Sequence, residues 1–170
     1  SVSTSMGAIY LFFFIGILIS VLMMSGAIPT LMYYGLDIIS TRVFYLSTFC
    51  ITAIIGISIG SSLTTVATLG VALMGLSNAF GLNPAITAGA IVSGAFFGDK
   101  MSPLSDTTGI AASIVGVDLF DHIRNMLYTT LPAFIISAIV FGAFSPWNQA
   151  GDISSVAAFK EDILSTGLVH

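Results

Sequence analysis

Asp99, Lys100 and Asp106 lie close together in a chain otherwise poor in charge. Hydroxyls surround them: Ser102, Ser105, Thr107 and Thr108, with Pro103 in their midst. Carboxylate and hydroxyl oxygens are the ligands a hard cation takes. A carboxylate also takes a proton. Proline interrupts a helix and leaves carbonyl oxygens without donors. These residue types point to an ion site. At the centre of an inserted helix each Asp or Lys costs about 2.5–3.5 kcal/mol, so three would cost roughly 8–10 kcal/mol. The segment is therefore expected to be buried in protein or to line a water-filled cavity, and ionisable groups held at such a cost mark functional sites. A second polar break, Gly60 to Thr65, offers Ser61, Ser62, Thr64 and Thr65 as further hydroxyl ligands. The competing reading is structural: Ser102-Pro103 would start a helix, Asp106 would cap another, and Asp99 and Lys100 would sit in a solvated loop.

The elements that must position these groups are apolar runs between polar islands. Charge is absent before Asp37, between Arg42 and Asp99, and between Arg124 and Asp152. Residues 7–28 form an apolar run of roughly 33 Å as a helix, enough for a bilayer core of about 30 Å. Pro29 is expected to end it, with Tyr33 and Tyr34 at the interface. The stretch 43–80 is too long for one span, and its break predicts one span to about Ile59 and a second, short helix from about Thr64 to Ser77. Asn83-Pro84 opens a helix expected over 85–98, with Asn83 as cap and Pro84 in the first turn. An apolar piece follows over 109–117. Two short pieces around a polar break predict a discontinuous or re-entrant membrane helix. Asp118 to Met126 alternates apolar and charged residues and reads as a short interfacial helix, with His122 among Asp118, Asp121 and Arg124. A further span is expected over 127–144, with Trp147 at the interface, then a polar loop or tail over 148–162. Ala90, Gly94 and Gly98 recur every fourth residue, as do Gly56 and Gly60, a spacing that lets helices approach closely. Thr68 to Ala72 echoes Thr107 to Ala111.

Composition agrees with hydrocarbon as the solvent. Of the 170 residues 56% are hydrophobic and 7% charged, against about 25% charged in soluble domains, and mean hydropathy is +1.05. This excludes a soluble enzyme and a disordered linker. Four Lys and Arg against eight Asp and Glu leave no basic patch for nucleic acid. The single cysteine, Cys50, forms no disulfide framework and reads as a small buried hydrophobe. An intramembrane aspartyl protease would need Gly-x-Gly-Asp and Tyr-Asp, and a serine protease Gly-x-Ser-Gly with a histidine in a span; neither set is present. The fold expected is all-α and polytopic, with about four to six membrane helices or half-helices in one membrane domain over 1–170. The few cations set no orientation.

The stretch Gly89 to Thr108 (GAIVSGAFFGDKMSPLSDTT) resembles the signature of the NhaC family of bacterial Na+/H+ antiporters. Ile28 to Thr30 with Tyr34-Gly35, the Gly60 to Thr65 break, Thr68 to Gly75, and Asp118 to Met126 with Thr129 to Pro132 are similar to it as well. One departure is Gly109, where the family pattern has Asn, which removes a side-chain oxygen from the implied ligand set. The resemblance implies a multi-pass protein of the bacterial cell membrane and an internal part of a longer, inverted-repeat transporter. It implies that Asp99 and Asp106 bind Na+ or protons in turn, with Lys100 holding one carboxylate ionised until Na+ displaces it. Na+ and H+ are then cargo, and no cofactor and no enzymatic activity are expected. The partners are the bilayer and the remainder of the transporter, with homo-oligomerisation left open. Two alternatives stand beside this: Na+-coupled exchange of an organic acid such as malate or lactate, and a non-transporting membrane subunit or channel module.

Overall fold

The computed structural model describes residues 41–146 throughout and, outside that range, residues 10, 13–14, 16–17, 20–28, 30, 33–34, 161, 164–165 and 167. All regular structure among the described residues is helical. A 3-10 turn, Thr41–Val43, leads into α1, Phe44–Ile59. Then come α2, Ser62–Ala79, α3, Pro84–Met101, α4, Asp106–Val115, and α5, Leu119–Phe144. The segments Thr41–Ile59, Ser62–Ala79 and Leu119–Phe144 are long and apolar enough to cross a membrane.

The helices end where their residues dictate. Gly60 closes α1 in the left-handed region, φ 72°, and its N–H donates to the Gly56 carbonyl. Glycine adopts this conformation without a Cβ clash. Ser61 then caps α2, its Oγ accepting from the Thr64 N–H. Residues Val66–Gly70 of α2 wind as a π-helix. Asn83 caps α3 by accepting from the Ala85 N–H, with Pro84 at the first helical position, as expected. The Tyr45 hydroxyl of α1 accepts from the Asn83 N–H and fixes this turn.

Packing centres on α1 crossing α3. Ala90, Gly94 and Gly98 are buried on one face of α3, and Gly56 faces them from α1. A Cβ on Gly98 would lie 2.6 Å from the Gly56 Cα, and one on Gly94 would lie 2.4 Å from the Phe49 carbonyl oxygen. The small residues thus let the two backbones touch. Phe44, Tyr45, Leu73, Leu76, Leu82 and Ile91 form the apolar core between α1, α2 and α3. Phe134 holds α5 against this crossing, its ring 4.8 Å from Phe49 and 4.3 Å from Phe97.

Four expectations need correction. The α3 helix runs to Met101, so Asp99 and Lys100 occupy its last turn rather than a loop after it. The expected interfacial helix and the following span are one 26-residue helix, α5. At 1.5 Å per residue it measures about 39 Å, longer than a bilayer core of about 30 Å, so it is long enough to span one and leave its charged first turns outside the hydrocarbon. Gly60 is a left-handed cap past the end of α1, and the close approach it permits is to Leu104 and Ser105 rather than to α3. In addition, α2 starts at Ser62 and is longer than expected. The first apolar run is described in part: helical residues reach Met24 and turn at Ser25 and Gly26 (φ 79°), while Pro29 lies outside the described residues. So do Trp147 and nearly all of the 148–162 loop.

Candidate functional site

The two polar breaks meet. Leu104 and Ser105, between α3 and α4, press on Gly60, between α1 and α2: a Cβ on Gly60 would lie 2.7 Å from the Leu104 carbonyl carbon and 2.9 Å from the Ser105 nitrogen. From this junction the Ser62 hydroxyl donates to Asp99 Oδ2 at 2.9 Å. The bond joins the first turn of α2 to the last turn of α3. Asp99 is half-buried, Ser62 buried and Lys100 exposed.

The break between α3 and α4 is ordered by its own hydroxyls. Ser102 is fully buried and its Oγ accepts from the Leu104 N–H. Ser105 is buried and its Oγ is 2.9 Å from Thr107 Oγ1. The Thr108 hydroxyl reaches back to the carbonyls of Lys100 at 3.2 Å and Asp99 at 3.5 Å; the Asp99 carbonyl also accepts from the Ser102 N–H that closes α3. A cavity of about 440 Å³ opens beside this turn, lined by Asp99, Lys100, Thr107 and Thr108 together with Phe96, Phe97, Ala111, His122 and Met126. Its lining combines one carboxylate, an ammonium, an imidazole and two hydroxyls. The oxygen donors around Asp99 suit a small hard cation, and the carboxylate suits a proton.

Not every expected residue reaches this place. Asp106 is exposed in the first turn of α4, outside the cavity lining, where its charge complements the helix N-terminus. Ser61 and Thr64 bond to each other at 3.0 Å, and the Thr65 hydroxyl donates to the Ser61 carbonyl. Of the four hydroxyls in the first break, Ser62 makes the bond to Asp99. Gly109 is not in the lining, and a Cβ there would meet nothing within 4 Å. His122 lines the cavity although its sequence surroundings suggest an interfacial residue. The signal was spacing: His122, Met126 and Thr130 recur every fourth residue, and none of the three is exposed.

A profile of the Na+/H+ antiporter family matches residues 94–146, from the end of α3 through α5. The Na+/H+ antiporter NhaC of Alkalihalophilus pseudofirmus is 59% identical over 133 residues, 78% of this chain and 29% of that protein. The Na+/H+ antiporter NhaC of Bacillus subtilis is 46% identical over 149 residues, 88% of this chain and 32% of that protein. A malate-2H+/Na+-lactate antiporter of Bacillus subtilis is 38% identical over 171 residues, 99% of this chain and 36% of that protein. The chain spans about a third of the length of these curated relatives. No solved structure matches it.

Proposed function

Since the chain belongs to the NhaC family of Na+/H+ antiporters, we propose that it forms the ion-exchanging part of a secondary transporter that passes Na+ one way and H+ the other across the bacterial cell membrane. Asp99 is the group that takes the two ions in turn. The carboxylate binds Na+ when ionised, and a proton on the same oxygen removes the charge that holds Na+. Occupancy is exclusive, so a protein that exposes the cavity first to one side and then to the other couples the two flows.

The observation that carries this reading is the Ser62 to Asp99 bond at the meeting of two helix breaks. It sets a carboxylate where backbone carbonyls, hydroxyls and a cavity converge, the arrangement that discontinuous membrane helices use for ions. Lys100 on the same cavity supplies a positive charge near the carboxylate when Na+ is away. Asp106 acts through the α4 N-terminus and not as a second ion ligand.

The test is Asp99→Asn in the full-length protein in lipid vesicles, with Na+-driven proton movement followed by a pH-sensitive dye. The variant is expected to lose exchange, while Asp106→Asn keeps most of it. Unchanged exchange in Asp99→Asn overturns the assignment. Coupled exchange of an organic acid is the second reading, favoured by a cavity of about 440 Å³ that exceeds the needs of a bare Na+ and carries Lys100 in its wall. Competition of malate or lactate with Na+ flux separates the two.

A further inference from the structure

We propose that His122 is the group through which protons pass between the wet end of α5 and Asp99; this rests on the exchange reading above. Along α5 the inward positions after His122 carry Met126, Thr130 and Phe134. The last of these packs on Phe49 and Phe97. His122 is the ionisable member of this stripe, placed at its outer end and in the cavity wall beside Asp99 and Lys100. The other side of the same turns is polar and exposed: Asp118, Asp121, Arg124, Asn125 and Tyr128 line a separate depression of about 520 Å³. His122 therefore stands between a polar surface and the ion cavity.

The groups that face it are few. From α3 come Asp99 and Lys100, and α4 presents Thr107, Thr108 and Ala111. Within α5, Asp118 is one turn earlier with its carboxylate accepting from the Phe120 and Asp121 N–H groups, and Asp121 and Arg124 turn outward. Among the described residues no hydrogen bond joins the imidazole to Asp99, so in this proposal the proton crosses the cavity between them on water. An imidazole both donates and accepts, and it changes charge in the physiological range. The transfer balances simply. A ring nitrogen takes H+ from water at the wet end, the imidazolium gives H+ to cavity water, and that water delivers it to the Asp99 carboxylate, whose Na+ leaves. The reverse order releases the proton.

The experiment uses the full-length transporter in vesicles and compares two fluxes. Na+-for-H+ exchange needs the proton route, whereas exchange of radioactive Na+ for unlabelled Na+ needs Asp99 alone. In His122→Gln the first is expected to fall by about 100-fold, the lower end of what a positioned proton-transfer group contributes, while the second persists. In His122→Ala, added imidazole is expected to restore proton-coupled flux. A wild-type rate and pH profile in His122→Gln, or equal loss of both fluxes in both variants, overturns the proposal. Absence of Na+-driven proton movement in the wild-type protein instead overturns the exchange reading itself.

Discussion

The hydrogen bond from Ser62 to Asp99 joins residues 37 positions apart, and its loss has a measurable consequence. Ser62→Ala removes a donor to a charged oxygen, an interaction that contributes about 1.5–3 kcal/mol, so apparent Na+ affinity is expected to fall by roughly tenfold or more. Ser61→Ala removes a helix cap instead and is expected to cost about 1 kcal/mol of stability with Na+ affinity retained. A Na+ titration of flux and a thermal melt in detergent check the pair. Asp99 was legible in the sequence because a charge after a long uncharged stretch demands an account. Its partner was not, since which of four neighbouring hydroxyls turns toward it is decided by the crossing of α2 and α3. His122 was hidden by Asp118, Asp121 and Arg124, whose charges mark the whole turn as interfacial although one face of it points inward.

At the scale of elements, two glycine classes behave oppositely. Gly98 has the Ala53 carbonyl oxygen 2.5 Å from where its Cβ would lie, so Gly98→Ala forces α1 and α3 apart and is expected to cost about 1–3 kcal/mol. Gly109 sits within α4 with open space around it, so Gly109→Ala is expected to gain about 0.5–1 kcal/mol from helix propensity. Melting temperatures of the two variants, moving in opposite directions, check this. Helix starts were readable where a local side chain makes them, as at Asn83-Pro84. The continuity of α5 was not, because an amphipathic turn and an apolar span carry the same helical period, and only tertiary packing tells a joint from a continuation.

At the largest scale, few contacts hold α5 among the described residues. Only 11% of its most apolar window is buried within the described protein, and Phe134 and Phe141 both anchor it on Phe49. Replacing protein contact by lipid contact changes little apolar area, so Phe134→Ala is expected to cost mainly its two ring pairs, together roughly 1–3 kcal/mol. Because the same helix carries His122, the variant is also expected to slow proton-coupled flux more than Na+-for-Na+ exchange, measured as above.

Between Gly60 and the Leu104–Ser105 peptide there is no space for even a methyl group. The two crossovers are therefore meshed like gear teeth. Neither crossover can move toward the other without steric contact at this point. Any side chain at position 60 would therefore wedge the two crossovers apart.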